Sequence, residues 1–242
     1  GIMQEIIAKY CRELRLGQGF VENYPTIEAD THEQFLLKLL QMEVERRAIH
    51  RKNRLLKQAG FPVIKTFAGY SFAEIQIPNS LEMESLKTGA FIGNRENLIL
   101  YGPPGTGKTH LATAIGIEAC NSGKRVKFFR TATLVNLLLE AKAAGNIKKV
   151  FRQLEKTDLL ICDEWGYIPF EKLGAQLLFQ VISECYEQRS VIITTNIEFS
   201  KWNGIFYDEK LTTALIERLV HHSHLLVFTG TSYRLKHSTI NC

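Results

Sequence analysis

No run of apolar residues in the sequence approaches eighteen, the length that a membrane-spanning helix requires. The stretch from Gly1 to Arg12 contains Glu5 and only a short apolar pair, and it lacks the pattern of a secretory signal peptide. We therefore expect no membrane segment and no signal peptide. The five cysteines are odd in number and widely spaced, and Cys120 and Cys162 lie in apolar stretches. This pattern favours buried free thiols over disulfides or metal ligands, so a reducing, cytoplasmic location is expected.

The sequence also lacks internal repeats and low-complexity tracts. Its 242 residues, 45% of them hydrophobic, suffice for one domain and a smaller one. The formal net charge of +5 is a modest excess that hints at an anionic partner. The distribution of the basic residues along the chain is more informative than their sum.

The sequence from Gly102 to Thr109 matches the phosphate-loop pattern G-x-x-x-x-G-K-[ST] in full. The apolar run Leu98–Tyr101 precedes it and the helix-forming stretch His110–Cys120 follows, which is the strand–loop–helix setting that the motif needs. Backbone N–H groups of such a loop and of the helix N-terminus bind the phosphates of a nucleoside triphosphate. We expect Lys108 to reach the β- and γ-phosphates and the Thr109 hydroxyl to ligate Mg²⁺. The predicted nucleotide-binding residues are Gly102, Pro103, Pro104, Gly105, Thr106, Gly107, Lys108, Thr109 and His110.

A second apolar run, Leu159–Cys162, ends in two carboxylates, Asp163 and Glu164. Four apolar residues in succession are typical of a buried parallel strand. We expect Asp163 to hold Mg²⁺ together with Thr109, and Glu164 to orient and polarise the water that attacks the γ-phosphate. A general base at this place predicts a hydrolase rather than a protein that only binds nucleotide.

A third predicted strand, Ser190–Thr195, is followed by Asn196. If this strand lies between the other two, the Asn196 side chain is close to the γ-phosphate and can position the attacking water. A helix N-cap or a turn residue is an equally good interpretation of Asn196 from the sequence alone.

The phosphate loop, the Asp-Glu strand, the Thr-Thr-Asn strand end and late arginines, in this order, resemble an AAA+ ATPase. The stretches Ala132–Ala141 and Ser232–Arg234 resemble the branch that contains helicase loaders and insertion-sequence transposition helpers. The resemblance is greatest to the IstB-like transposition helper ATPases, and it covers nearly the whole chain. The stretch Asp163–Tyr167 is similar to the Asp-Glu-hydrophobic-Gly-Tyr stretch of that family. Trp165 stands where Leu is commoner, a change that should leave the chemistry unaltered.

This resemblance implies an α/β fold: an AAA+ P-loop NTPase domain with a parallel five-stranded sheet flanked by helices, after a small all-helical N-terminal domain. The helical lid of many AAA+ proteins is expected to be largely absent, because few residues follow the last predicted strand, Ser223–Thr229. The family pattern matches Arg218 to the arginine finger, which reaches the nucleotide bound by a neighbouring subunit. It matches Arg234 to the second sensor, which contacts the γ-phosphate in its own subunit. An exposed helix arginine paired with Glu217 or Asp208 is the alternative for Arg218. The predicted catalytic residues are Lys108, Glu164, Asn196, Arg218 and Arg234.

Residues 1–62 read as a helical domain and residues 63–242 as the ATPase domain. One helical pattern covers Gln4–Leu16, and a second starts at Thr31, where Gln34 completes a capping box, and ends near Gly60. The second half of this helix is basic, and its predicted DNA-binding residues are Arg46, Arg47, Arg51 and Arg54. The alternative is a solvated helix face partnered by Glu43 and Glu45. Secondary candidates, at a place where the resembling branch has a DNA-contacting helix, are Lys148, Lys149 and Arg152, for which an exposed charged helix is the alternative.

Two further patterns are less informative. Tyr70 and Phe72 in the linker Phe67–Pro78 are candidates to cover the adenine, and ordinary packing under a loop is an equally good interpretation. The run His221–His224 invites a metal interpretation, but no carboxylate or cysteine accompanies it at ligand spacing. We therefore predict no metal there, because a helix-to-strand junction explains the run.

The predicted function is that of an ATPase, with ATP and Mg²⁺ as cofactors, that forms a homo-oligomeric ring or spiral on double-stranded DNA. The resemblance implies a transposase as protein partner, target-site selection as the task, and no membrane association. A replicative helicase loader that handles single-stranded DNA is the first alternative. A nucleotide-dependent switch that hydrolyses little is the second, and Glu164 argues against it.

Overall fold

The computed structural model describes residues 1–206 and 208–230. The chain divides into two compact units, Gly1–Arg54 and a second that begins at Leu55. Among the described residues, no helix has the length and apolar character needed to cross a membrane.

The first unit is helical. It contains α1 (Ile2–Glu13), α2 (Gln18–Asn23), a short 3-10 turn (Tyr24–Thr26) and most of α3 (His32–Ala59). Gln34 N–H donates to the Thr31 hydroxyl at 3.1 Å, as the predicted capping box requires. In a complete capping box the Gln34 side chain would accept the N–H of Thr31. Here it accepts the N–H of the preceding residue, Asp30, at 3.0 Å.

The second unit alternates helices and strands. Its elements are β1 (Ile75–Gln76), α4 (Met83–Thr88), α5 (Ala90–Gly93), β2 (Asn97–Tyr101), α6 (Lys108–Asn121), β3 (Val126–Arg130), α7 (Thr131–Ala143), α8 (Ile147–Glu155), β4 (Leu159–Asp163), α9 (Lys172–Cys185), β5 (Ser190–Thr195), α10 (Asn203–Phe206), α11 (Glu209–His221) and β6 (Ser223–Phe228).

The strands form one six-stranded sheet in the order β1-β6-β2-β5-β4-β3. Five strands are parallel, as expected, but β1 adds a sixth, antiparallel to β6, with Ile75 opposite Phe228. The expectation of a purely parallel five-stranded sheet was therefore incomplete. A strand of two residues has too few positions for a period-2 pattern, and its partner lies some 150 residues later in the chain, so the sequence carries no local signal for it.

Helices cover both faces of the sheet, which explains why β4 is apolar along its length before Asp163. On one face Ile99 packs in a cluster with Leu138 of α7 and Leu178 of α9. On the other, Leu98 and Leu100 pack with Leu111 of α6 and with further residues. Because β2, β5 and β4 are parallel neighbours, their carboxyl ends lie together at one edge of the sheet. This edge is the usual position of a ligand site in such folds.

Candidate functional site

The phosphate loop connects β2 to α6, and its backbone geometry depends on glycine at specific positions. Gly105 and Gly107 have φ angles of +74° and +92°, in the left-handed region that side chains disfavour. Gly102 has a different constraint, because a Cβ atom there would lie 2.4 Å from the backbone oxygen of Phe228. The loop is therefore held against the end of β6 at a distance that only glycine permits.

Lys108, the first residue of α6, is buried inside this loop. Its Nζ donates to the carbonyl oxygens of Gly102 and Pro103, both at 2.7 Å. Burial lowers the pKa of Lys108, and the nearby Asp163 carboxylate opposes that shift. The loop thus surrounds one ammonium group, the arrangement that suits the binding of an anion.

Thr109 and Asp163, far apart in the sequence, are in direct contact. The Thr109 hydroxyl donates to Asp163 Oδ1 at 2.9 Å and lies 3.2 Å from Oδ2. Asp163 is 2% exposed at the carboxyl end of β4, and the Thr131 hydroxyl donates to its backbone carbonyl at 2.8 Å. A hydroxyl and a carboxylate side by side offer the hard oxygen ligands that Mg²⁺ prefers, so this pair fits a magnesium site.

Thr194, which the sequence interpretation missed, connects the two acids. Its buried hydroxyl donates to Asp163 Oδ1 and accepts the backbone N–H of Glu164 at 2.9 Å. The Trp165 N–H donates to the Thr194 carbonyl at 2.8 Å. The only signal for this role in the sequence is a hydroxyl residue near the end of a central strand, and many strands carry one.

Glu164 has an unusual backbone conformation with φ at +55°. A non-glycine residue in this region is strained, and such strain persists only where surrounding bonds enforce it. Here the enforcing bonds come from β5, through Thr194 and through the Thr195 hydroxyl, which donates to the Trp165 carbonyl at 2.7 Å. Glu164, with a half-buried side chain, directly follows Asp163, the last residue of β4.

Asn196 directly follows β5, and β5 does lie between β2 and β4. This fulfils the condition on which its predicted proximity to the phosphates depends. Its side chain is exposed, and it makes no side-chain hydrogen bond to any residue that the structure describes. A short 3-10 turn follows at Phe199–Lys201, and its N-cap is Glu198 rather than Asn196.

The linker before β1 contacts the start of α6 through aromatic residues. The Tyr70 hydroxyl donates to the Gly107 carbonyl at 3.1 Å, and the Tyr70 and His110 rings lie 4.7 Å apart. Burial raises the pKa of Tyr70 well above its usual range, so this hydroxyl stays protonated and a donor. Phe67 stacks on Phe72 at 6.1 Å beside it. The contacts of Tyr70 and Phe72 are those of packing beneath the loop.

Arg218, on α11, is exposed and pairs with neither of the acids considered for it. Its guanidinium lies 5.5 Å from the centre of the Tyr186 ring. Asp208 instead caps α11, where its Oδ1 accepts the Leu211 N–H at 3.0 Å. Within the described parts of the chain, no carboxylate lies within 4.0 Å of Arg218. The other late arginine, Arg234, lies outside the described residues.

The basic residues of α3 fall into two groups. Arg46 makes two bonds to the buried Glu43 carboxylate, at 2.7 and 3.0 Å, and Arg47 bonds to it at 2.9 Å. Arg47 also donates to the Arg15 carbonyl at 2.6 Å. The guanidinium groups of both residues are therefore engaged within the first unit. Arg51 and Arg54 are exposed, as are Lys148, Lys149 and Arg152 on α8, whose opposite face is buried through Phe151 and Leu154.

The family described as IstB-like ATP binding protein matches residues 23–240 of this sequence. A protein of Geobacillus stearothermophilus, named as an ATP-binding protein of insertion sequence IS5376, is 35% identical over 239 residues, which cover 97% of this chain and 95% of that protein. Its counterpart named for insertion sequence IS21 in Pseudomonas aeruginosa is 38% identical over 205 residues, covering 85% and 77%.

Solved structures establish the fold class. A DnaC helicase loader superposes with a TM-score of 0.53 at 24% identity, covering 67% of this chain and 96% of that chain. AMPPCP-bound DnaA from Aquifex aeolicus gives a TM-score of 0.55 at 24% identity, covering 69% and 50%. At this level of identity the likeness concerns the fold alone, and the fold is that of an AAA+ P-loop NTPase.

Proposed function

Because this chain belongs to the IstB-like ATP-binding protein family, we propose that it is an ATP-hydrolysing helper of DNA transposition. In this proposal it binds ATP with Mg²⁺, assembles as a homo-oligomer on double-stranded DNA and assists a transposase in target-site selection. The observation that carries the catalytic part is the convergence of Thr109, Asp163 and Thr194 beside the strained Glu164.

The nucleotide phosphates lie in the phosphate loop, where backbone N–H groups at the start of α6 and the Lys108 ammonium bind their oxygens. In the present structure that ammonium is bonded to the loop carbonyls of Gly102 and Pro103. Binding of a triphosphate exchanges those neutral acceptors for charged phosphate oxygens, which form the stronger hydrogen bonds. Thr109 and Asp163 would hold Mg²⁺, which when bound would supply positive charge beside the phosphate oxygens.

Hydrolysis requires a water molecule in line with the bond between the γ-phosphorus and the bridging oxygen. Glu164 accepts a proton from this water as its oxygen bonds to phosphorus, the bond to the bridging oxygen breaks, and ADP leaves with the electron pair. Asn196, exposed at the end of the central strand β5, helps to position the water. The bonds from Thr194 and Thr195 hold the backbone around Glu164 in place.

A neighbouring subunit completes the site through Arg218. Three features support this assignment: its exposure on α11, the absence of a carboxylate partner in the described parts of the chain, and its match to the family's finger position. A guanidinium remains charged at all physiological pH values and grips phosphate oxygens with two donors. The isolated subunit should therefore hydrolyse ATP slowly.

DNA contact is assigned to the exposed basic residues Arg51 and Arg54 on α3 and Lys148, Lys149 and Arg152 on α8. Arg46 and Arg47 keep a supporting role, because Glu43 already holds them. Bases of this kind bind phosphates and supply affinity without reading sequence. A helper with this type of contact engages many target sequences.

The partner proposal draws on the relatives, which are named for insertion sequences of the IS5376 and IS21 types. A mobile element of that kind needs a transposase. An ATP-dependent protein that occupies DNA without reading its sequence is suited to choosing the target for it.

Assembly on nucleic acid tests the proposal directly. Light scattering and negative-stain microscopy are performed with ATP, with ADP and without nucleotide, on duplexes of increasing length and on single strands at one salt concentration. We expect large complexes that require ATP and duplex DNA and that grow with duplex length. The Glu164→Gln protein should form the same complexes and keep them longer, because it binds ATP without turning it over.

Two outcomes contradict this function. Preference for single strands, or assembly only after a replicative helicase is added, would support the loader instead, with the basic face of α3 as a protein-docking surface. Undiminished ATP turnover in the Glu164→Gln protein would remove Glu164 from its role as the base.

A further inference from the structure

Three side chains with metal-binding chemistry meet at the carboxyl end of α11, away from the phosphate loop. His221 is the last residue of α11, His222 follows it, and Glu187 belongs to the loop between α9 and β5. Their ligand atoms all lie within 4.8 Å of one another. The sequence argued against a metal at the histidine run because no carboxylate stands at ligand spacing in it. The fold supplies one from an earlier loop, a proximity that spacing along the chain cannot reveal.

Two of the three separations are close to the edges of a tetrahedral site, whereas the His221–Glu187 separation exceeds 4.0 Å and must shorten when an ion binds. His221 Nδ1 and His222 Nε2 lie 3.2 Å apart, and His222 Nε2 and Glu187 Oε1 lie 3.4 Å apart. Two ligands at roughly 2.0–2.1 Å from a tetrahedral Zn²⁺ are separated by about 3.3–3.4 Å. Both measured edges are close to this value.

Hydrogen bonding alone explains the cluster less well. A contact of 3.4 Å between a nitrogen and a carboxylate oxygen is longer than an ordinary hydrogen bond. The Tyr186 hydroxyl lies 2.9 Å from His221 Nδ1, and donation from this hydroxyl requires a lone pair on that nitrogen. In the tautomer that accepts this bond, Nδ1 carries no proton, as a metal ligand requires, and a bound ion takes the place of the Tyr186 hydroxyl at its lone pair.

The loop that carries the carboxylate is held in position. Glu187 has a φ angle of +59°, in the left-handed region, and the Arg95 guanidinium donates to its backbone carbonyl at 3.2 Å. These features fix the backbone from which the exposed carboxylate extends toward the two imidazoles.

We propose that Glu187, His221 and His222 form a binding site for a divalent transition metal of the Zn²⁺ type, with a fourth position open to water. Two imidazoles and a carboxylate are a common ligand set for such ions, whereas Mg²⁺ and Ca²⁺ prefer oxygen ligands. The bound ion joins the last turn of α11, the helix that carries Arg218, to the loop between α9 and β5. The site uses no residue of the phosphate loop and is independent of the proposed function.

The test uses the full chain without nucleotide. Zn²⁺ is titrated by calorimetry, and Co²⁺ is used as a spectroscopic probe because its visible absorption reports tetrahedral coordination by nitrogen and oxygen. We expect one ion per chain and a rise in the thermal unfolding midpoint on Zn²⁺ addition. His222→Ala and Glu187→Gln should each weaken binding at least about tenfold and remove the thermal shift.

Tyr186→Phe provides the matched control. It keeps the ring beneath Arg218 and removes only the hydroxyl that competes for His221 Nδ1, so its metal affinity should equal or exceed that of the parent chain. The proposal is overturned if the parent chain takes up no Zn²⁺, or if the His222→Ala and Glu187→Gln proteins bind it as the parent does. Loss of binding in Tyr186→Phe would overturn the three-ligand assignment.

Discussion

A single hydroxyl, that of Thr194, bonds to both the proposed magnesium ligand, Asp163, and the backbone of the proposed base, Glu164. It donates to the Asp163 carboxylate and accepts the Glu164 N–H. Replacement of Thr194 by Val keeps the shape and removes both bonds, so Glu164 loses one of the contacts that enforce its strained conformation while the Thr195 bond remains. We expect kcat for ATP hydrolysis to fall roughly 10- to 100-fold, the range seen when a supporting partner of a metal site is removed. The KM for ATP should change much less, because the phosphate loop is intact.

The control for this prediction is Thr157→Val. Thr157 is also buried and also donates through its hydroxyl, to the Leu154 carbonyl at 2.6 Å, but it precedes β4 at the opposite end from Asp163. This change should lower stability and leave kcat nearly unaltered, whereas Thr194→Ser should restore most of the rate. Equal effects of the Thr194 and Thr157 changes on kcat would mean that Thr194 acts only through stability.

A second prediction at the scale of single residues concerns the replacement of Gly102 by Ala. In a Gly102→Ala protein the new Cβ meets the Phe228 backbone oxygen, and backbone cannot move aside as a flexible side chain does. The midpoint of urea unfolding should fall and ATP affinity should decrease, because the loop must shift to relieve the contact. In Gly145→Ala the φ angle is +76° but no atom lies within 4 Å, so only the conformational strain of about 1–2 kcal/mol is expected. A smaller stability loss in Gly102→Ala than in Gly145→Ala would refute the argument.

At the scale of the element, a buried carboxylate on α3 holds two arginines of the same helix, and one of them, Arg47, also bonds to the Arg15 carbonyl outside it. The bond from Arg46 is the main cause that lowers the pKa of Glu43, and the bond from Arg47 acts in the same direction. Because the folded pKa lies below the unfolded value, the stabilisation is complete above the unfolded pKa of about 4.3 and is lost as pH falls through the folded one. Denaturation followed from pH 7 down to pH 3 should show this loss in the parent chain. Glu43→Gln should be less stable at pH 7 and nearly equal to the parent at the lowest pH.

The short helix α8 gives a prediction about DNA. Its base-rich face is exposed while Phe151 and Leu154 anchor the opposite face, so charge reversal at Lys149 should leave the fold intact. In Lys149→Glu the slope of log affinity for duplex DNA against log salt should become shallower by roughly 0.9 for each DNA phosphate that the variant no longer neutralises. Lys210→Glu, an equal charge change at an exposed site on α11, is the control. Identical slopes for the two variants would exclude α8 from the DNA interface.

Elements were predicted from the sequence where the signal is local. The apolar run before Asp163 gave β4, and the phosphate-loop pattern gave the β2–α6 connection, because each depends on neighbouring residues. Pairings across the fold could not be found in this way. The basic stripe of α3 was interpreted as a DNA-contacting face that included Arg46, with Glu43 and Glu45 as alternative partners. In the structure Arg46 pairs with Glu43, and it also lies against Gly17, where a Cβ atom would meet the Arg46 side chain at 2.2 Å. The spacing allowed this pair, because Glu43 stands three residues before Arg46 and Arg51 has no acid three or four residues away, but it could not show that Glu43 is buried.

At the scale of the whole molecule, the proposed mechanism requires more than one subunit, since Glu164 and Arg218 act on the same nucleotide from different chains. Two inactive variants should then complement each other. A Glu164→Gln subunit lacks the base but supplies Arg218, and an Arg218→Ala subunit keeps its base and lacks the finger. In an equal mixture about a quarter of the sites combine an intact base with an intact finger, if subunits assort at random around a closed or helical assembly.

Steady-state ATP hydrolysis on duplex DNA measures this complementation. Each variant alone should be nearly inactive, and the mixture should recover up to about a quarter of the parent rate, with the recovered activity rising with total protein concentration because interfaces must form. Full activity of Arg218→Ala alone would show that the site is complete within one subunit. Inactivity of the mixture, with both variants assembled on DNA, would place the missing arginine elsewhere. Recovery would establish together that Glu164 is the base, that Arg218 acts in trans and that the active species is an oligomer.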